Sequence, residues 1–287
     1  MGIKIILLII FFAVMAAVGI YSRRHVTSVD GFVLGGRSVG PWLTAFAYGT
    51  SYFSAVVFVG YAGQFGWKYG IASTWIGIGN ALIGSLLAWV VLGRRTKVMT
   101  QHLGSRTMPD FFGERYKSKS LKITASVIVF VFLIPYTASV YNGLSRLFAM
   151  AFNIPYTWCV VTMAAFTALY VILGGYMATA INDFIQGIIM LIGIVAVIAA
   201  VLNGQGGFMN AIAEMAKIPS DVPLTQGQPG AFTSFFGPDP VNLLGVVLLT
   251  SLGTWGLPQM IGKFYAIKDE KSISTGTIIS TIFAIII

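Results

Sequence analysis

The chain has 287 residues, of which 56% are hydrophobic and only 9% are charged, and its mean hydropathy is +0.84. A soluble domain carries roughly a quarter charged residues, so this composition excludes an ordinary soluble fold and is typical of a polytopic membrane protein. The net charge of +9 does not indicate a nucleic-acid partner, because the basic residues lie in short segments between apolar stretches. The single cysteine, Cys159, excludes an intrachain disulfide.

Seven stretches of the chain are apolar and long enough to cross a bilayer as helices, for which about 20 residues are needed. They are residues 3–20, 42–65, 71–92, 121–152, 156–173, 178–202 and 241–264, and an eighth begins near Ile273. The sequence therefore predicts an all-α fold of about eight spans. Because residues 281–287 are almost wholly apolar, we expect the chain to be the truncated, N-terminal fragment of a longer protein.

Lysine and arginine are distributed unevenly between alternate connections. Counted together with the adjoining span ends, the connections after the first, third and seventh spans carry three, eight and three of them, and the opposite side carries four in all. The positive-inside rule then predicts that the basic side is cytoplasmic and that the N-terminus faces out. Arg23 and Arg24 directly follow the first stretch, which favours a retained helix over a cleaved signal peptide. Within the outer connection 203–240, residues 207–217 are predicted to form a short helix.

Two spans contain glycine and small polar residues at mid-depth, in residues 44–54 of the second span and 250–259 of the seventh. Pro258 lacks a backbone N–H, and Gly253 and Gly256 weaken the helix further. Freed carbonyl groups in lipid cost several kcal/mol each unless a partner such as a cation satisfies them. Small residues also permit close helix packing. Two interrupted spans five helices apart nevertheless favour the binding site of a transporter.

Asp183 is the only acidic residue in or beside a span that has no basic neighbour in the sequence. An acid at membrane depth costs about 2.5–3.5 kcal/mol on insertion scales, so it is usually retained for an ion path or for pairing. The alternative is an interfacial helix N-terminus, where an aspartate complements the helix dipole. We interpret Asp183 as part of an ion path.

Three motifs, in order along the chain, resemble those of the sodium:solute symporter family. Residues 30–42, DGFVLGGRSVGPW, resemble the entry to its second helix. Gly174 and Gly175 with Ala178, Ala180, Asp183 and Gln186 resemble its Gly-Gly…Thr-Asp-x-x-Gln signature, although Asn182 replaces the threonine. Residues 255–259, WGLPQ, with Phe264 resemble a segment of its seventh helix. The resemblance extends from the first helix to the last.

The resemblance implies two inverted five-helix repeats behind an extra N-terminal helix, as in the leucine-transporter architecture. In one transmembrane domain, 1–287, residues 3–20 would be the extra helix, 42–202 the first repeat and 241–287 the start of the second. The remaining sodium ligands of the family, hydroxyl groups of a later helix, are expected beyond residue 287.

The resemblance also implies the positions of the co-transported sodium ion and of the solute. Sodium would be held by the backbone carbonyl groups of Thr50 and Phe53, with Asp183 near the ion path. No other metal and no catalytic residue is implied. The solute would lie between the broken second and seventh helices, near the side chains of Tyr52, Ser54, Ser251, Thr254 and Trp255.

We therefore expect sodium-coupled symport of a small organic solute across the cell membrane, by alternating access. The expected partners are the solute, sodium and the lipid bilayer. The solute stays open among proline or another amino acid, a carboxylate and a sugar, since Tyr52 replaces the acidic residue of proline carriers and Val57 the glutamine of sugar carriers.

Other functions are less well supported by the residues. A channel would need charge rings or a carbonyl filter, and an enzyme would need a nucleophile–base pair or paired carboxylates; the spans show none of these. We do not expect an enzyme. A transporter-like sensor module stays an alternative, because its sensor domain would lie beyond residue 287.

Overall fold

A computed structural model describes residues 2–54 and 61–287, and within those ranges the fold is all-α, as predicted. The six residues 55–60, which include Val57, lie outside the described part. The main helices are α1 (Gly2–Ser22), α2 (Val29–Leu34), α3 (Pro41–Tyr52), α4 (Gly63–His102), α5 (Met108–Tyr116), α6 (Lys119–Phe152), α7 (Tyr156–Gly204), α8 (Phe208–Lys217), α9 (Pro240–Leu252), α10 (Pro258–Ala266) and α11 (Glu270–Ile286).

Four helices, α1, α4, α6 and α7, are long and apolar enough to cross a membrane. A fifth candidate is the pair α9–α10, which is bent by 51°. The polytopic class is therefore confirmed, while the count of eight spans stays a prediction. Two predicted spans are joined in α7, where Gly175 alone is non-helical (φ 54°, ψ −148°), and α11 has only 17 residues. The second predicted span runs through residues 55–60.

Side-chain caps fix where several of these helices begin. The Thr107 and Ser118 hydroxyl groups accept hydrogen bonds from backbone N–H groups at the starts of α5 and α6. Asp239 accepts one from the Asn242 N–H at the start of α9, at 3.1 Å. The Ser272 backbone N–H donates to Asp269 at 2.7 Å and holds the pKa of that carboxyl below its usual value. These caps satisfy N–H groups that a helix start leaves without intrahelical partners.

Helix α3, which forms the first part of the second span, lies at the centre of the packing. Its Tyr48 is buried against Trp89 of α4 and Phe264 of α10, and the Trp89 and Phe264 rings meet edge to face at 5.0 Å. Phe46 contacts Phe283 of α11 at a ring distance of 5.3 Å. The second, third and seventh spans are therefore direct neighbours around one aromatic core.

Connections predicted on the same side of the membrane contact one another. On the basic side, Arg106 pairs with Asp30 at 2.6 Å, and Arg94 pairs with Glu270 at 2.5 Å. These pairs are half-exposed or more, so each contributes little to stability. Their arrangement agrees with the alternation of spans from which the topology was predicted.

On the opposite side, the connection 203–240 contains the predicted short helix as α8 and packs on the start of α4. The Trp75 indole N–H donates to the Phe235 carbonyl at 2.9 Å. Gly70 interrupts α4 near its start with a tight turn, in which its φ is 60° and its ψ is −138°. A Cβ at this position would lie 2.1 Å from the Phe232 carbonyl oxygen. The turn needs glycine both for its backbone conformation and for this close approach.

Replacing Gly70 by alanine should therefore destabilise the complete protein by more than ~2 kcal/mol, because strain and a backbone clash combine. The expected result is a clearly lower Tm in thermal unfolding of the purified protein. Gly66→Ala is the matched control, since a Cβ at Gly66 meets nothing within 4 Å. Equal Tm values for the two variants would contradict the described turn.

Candidate functional site

The second span breaks directly after Tyr52. Phe53 is non-helical (φ −90°, ψ 59°), and its N–H donates to the Gly49 carbonyl at 2.9 Å as the last bond of the helix. The carbonyl groups that follow Gly49 in the final turn, including that of Thr50, have no intrahelical donor. This is the break that the small polar residues predicted, and it provides backbone oxygens of the kind that bind a sodium ion.

The seventh span breaks between Leu252 and Pro258. A 3₁₀ turn, Gly253–Gly256, follows α9, and Leu257 is extended (φ −70°, ψ 128°) before α10 begins. Proline at the first position of α10 is compatible with the helix, since the N–H it lacks would have no intrahelical partner there. The break predicted from glycine and proline is therefore present, with the 51° bend.

Asn80 of α4 connects the two breaks. Its Oδ1 atom lies within hydrogen-bond distance of the hydroxyl groups of Tyr52 at 3.1 Å, Thr250 at 3.0 Å and Ser251 at 3.2 Å, and can accept from two of them at a time. The Tyr52 hydroxyl also lies 2.9 Å from the Thr250 carbonyl, a second acceptor. Residues of the second, third and seventh spans thus meet at one buried amide.

Two glycines of α4 allow this approach. A Cβ at Gly84 would lie 2.0 Å from the Tyr52 hydroxyl, and a Cβ at Gly79 would lie 3.0 Å from the Ser251 hydroxyl. Asn80 also begins a π-helical segment, Asn80–Leu87, and such segments occur frequently at functional sites. Asn80 was not predicted as a site residue. Its sign in the sequence is a single amide side chain within an apolar span.

We refer to Asn80, Tyr52, Thr250 and Ser251 as the Asn80 cluster. A cavity of about 720 Å³ lies beside this cluster. Four predicted residues line it: Phe53 from the predicted sodium set, and Tyr52, Ser54 and Thr254 from the predicted solute set. The described lining residues include no charged side chain and are apolar apart from hydroxyl groups and Asn80. The cavity is thus neutral and bounded on two sides by helix breaks.

Three predicted residues lie behind the lining. Ser251 is fully buried and donates to Asn80, and Trp255 donates its indole N–H to the Ile83 carbonyl at 3.1 Å. Thr50 is buried one turn before the break, and its hydroxyl donates to the Phe46 carbonyl at 2.9 Å. Its backbone carbonyl, the predicted sodium ligand, belongs to the last turn of α3.

Asp183 forms an ion pair across the interface of α7 and α10. Its carboxylate lies 3.2 Å from the Lys263 ammonium, and only 22% and 8% of the two side chains are exposed. The ammonium also lies 5.4 Å from the centre of the Tyr176 ring. The sequence alone does not reveal this pair, because its members are 80 residues apart.

Removing one member of this pair should be strongly destabilising, because the other charge stays buried without a partner. We expect Lys263→Met to cost about 3–5 kcal/mol in thermal unfolding of the complete protein, and Asp183→Asn/Lys263→Met to recover most of that loss. Lys217→Met, which removes an exposed ion pair with Glu214, serves as the control and should change the Tm little. A single variant as stable as the wild type would rule out the pair.

Comparison with known proteins matches these features to one family. The model of the sodium:solute symporter family matches residues 32–287. Sodium/proline symporters from Staphylococcus aureus strains JH9, JH1 and Mu3 are each 33% identical over 276 residues, which cover 93% of this chain and 51% of the relative. The chain spans about half the length of these curated relatives. It belongs to the sodium:solute symporter family.

Proposed function

We propose that the complete protein couples sodium entry to the uptake of a small organic solute, which binds in the cavity between the two helix breaks. The observation that carries this proposal is the Asn80 cluster, because it joins both breaks beside a neutral cavity of about 720 Å³. Membership of the family supports the coupling to sodium.

The chemistry of the cavity favours a zwitterionic amino acid as the solute. A fully charged solute would be costly to bury beside neutral side chains unless an opposite charge accompanied it. Because Asn80 Oδ1 faces hydroxyl groups of the protein, its amide N–H groups remain for a carboxylate oxygen of the solute. The relatives from Staphylococcus aureus are sodium/proline symporters, which also favours an amino acid.

Sodium would bind the carbonyl groups of Thr50 and Phe53 at the end of α3, and its charge would neutralise the solute carboxylate nearby. Binding would order the broken second span and favour the outward-open state; the solute would then allow closure and inward opening. Asp183 would act in the ion path on the cytoplasmic side, where Lys263 balances its charge.

The proposed architecture is the inverted five-helix repeat in one transmembrane domain, 1–287. Residues 3–20 are the extra helix, 42–202 the first repeat and 241–287 the start of the second. The proposed location is the cell membrane, with the N-terminus outside. The contacts between alternate connections support the alternation of spans, and the positive-inside rule supports its direction.

Sodium dependence of uptake tests the coupling directly. We expect vesicles containing the complete protein to accumulate at least one radiolabelled amino acid, with proline the first to be tested, in an inward sodium gradient. Replacing sodium by choline should reduce the initial rate to the level of protein-free vesicles. Uptake that is unchanged in choline would exclude the proposed symport.

The contribution of the Tyr52 hydroxyl group can be tested separately from that of its aromatic ring. Tyr52→Phe removes the hydroxyl that joins α3 to Asn80 and Thr250, so we expect KM for the solute to rise about 5- to 30-fold, as for the loss of one buried hydrogen bond. Tyr61→Phe is the control, because Tyr61 also lines the cavity and stacks on Phe65 but is half-exposed. Equal effects of the two substitutions on KM would argue against the Asn80 cluster as the solute site.

A further inference from the structure

A second cluster of buried polar groups lies at the basic end of the molecule, away from the cavity. The Lys97 side chain is fully buried, and its ammonium has no hydrogen-bond partner among the described residues. The same holds for the NH1 atom of Arg37 and for the hydroxyl of Ser105, which is 2% exposed. We refer to these three groups as the Arg37–Lys97 cluster.

The backbone of the turn after α4 holds the members of this cluster together. The NH2 atom of Arg37 donates to the Ser105 carbonyl at 2.6 Å and lies 3.4 Å from the Thr100 carbonyl. The Thr100 hydroxyl in turn donates to the Lys97 carbonyl at 3.1 Å. The guanidinium is thereby fixed on the helical turn that begins at Lys97, with its second terminal nitrogen still free to donate.

The acidic residues that act on these cations are already engaged. Asp30, whose negative charge attracts Arg37, forms two hydrogen bonds with Arg106, of which the shorter is 2.6 Å. Asp269, whose negative charge attracts Lys97, accepts a hydrogen bond from the Ser272 N–H at the start of α11, and half of its side chain is exposed. The described part of the chain therefore leaves the buried Lys97 ammonium and the buried NH1 atom of the half-buried Arg37 without a direct counter-charge, an arrangement that is unfavourable unless an anion completes it.

We propose that the Arg37–Lys97 cluster binds a phosphate group. An ammonium, a guanidinium nitrogen and a hydroxyl on neighbouring backbone segments match the several oxygens and the negative charge of a phosphate. The phosphate is either inorganic phosphate or the headgroup of an anionic phospholipid on the basic side of the membrane. This proposal does not depend on which solute the cavity takes.

The site would stabilise the contact between the ends of three spans. Arg37 directly precedes the second span, Lys97 lies at the end of the third, and the backbone of Val39 pairs with that of Ala266 and Lys268 at the end of the seventh, at 3.3 and 3.0 Å. A bound phosphate would hold these segments together at the predicted cytoplasmic end. Loss of the phosphate would loosen that end by charge repulsion between Arg37 and Lys97.

Thermal unfolding of the complete protein in phosphatidylcholine nanodiscs tests the proposal. Inorganic phosphate, compared with chloride at equal ionic strength, should raise the Tm by about 2 °C or more in the wild type. The Lys97→Met variant should show no such rise. Arg95→Gln is the matched control, because it removes an exposed positive charge two residues away and should respond as the wild type does.

A second arm replaces phosphatidylcholine by phosphatidylglycerol in the absence of phosphate. A rise in Tm in this arm alone, again lost in Lys97→Met and kept in Arg95→Gln, assigns the site to a lipid headgroup; a rise with inorganic phosphate assigns it to the free ion. If Lys97→Met yields no folded protein, Ser105→Ala takes its place and should at least halve the rise in Tm.

Two results would overturn the proposal. The first is the absence of a Tm rise in both arms, or an equal rise in the Lys97→Met variant. The second is a Ser105→Ala variant whose rise in Tm equals that of the wild type, because the hydroxyl group would then take no part in binding.

Discussion

A helix that stops inside a membrane leaves backbone carbonyl groups without donors, and lipid supplies none. Among the described residues, two helices end within predicted spans, at Tyr52 and at Leu252, and both ends lie against the same buried amide of Asn80. The hydroxyl groups around Asn80 hold the broken segments at fixed positions. The carbonyl groups that have no donor at the helix ends lie beside a cavity. The carbonyl groups at these helix ends would destabilise the fold if they were buried without partners. The same groups can bind a cation.

The two halves of the seventh span pack against different neighbours, which makes the break between them a candidate joint. The first half, α9, contacts the part of α4 around Gly79 and Asn80. The second half, α10, is attached to α7 by the buried pair of Asp183 and Lys263, and its end is bonded to the backbone before α3. A change of angle at residues 253–257 would therefore open or close one side of the cavity without disrupting either contact.

Much of this organisation could be predicted from local patterns. Apolar length predicted the long helices, and the combination of glycines with Pro258 predicted the seventh-span break, because these residues act on their own backbone. Asn80 and the partner of Asp183 could not be predicted in this way. Their roles depend on hydroxyl groups about 170 residues away and on a lysine 80 residues away, so only the packing of helices reveals them. The buried state of Lys97 was missed for the same reason, since a lysine in a basic segment resembles its exposed neighbours.

We propose that the two breaks form one site for the solute and sodium. An experimental structure of the complete protein with sodium and its transported amino acid bound would test this proposal. We expect solute density in contact with Tyr52, Asn80 and Thr254, and a sodium ion on the carbonyl groups of Thr50 and Phe53. Solute density outside the cavity, or a second span that continues as an unbroken helix through residues 53–54, would contradict it.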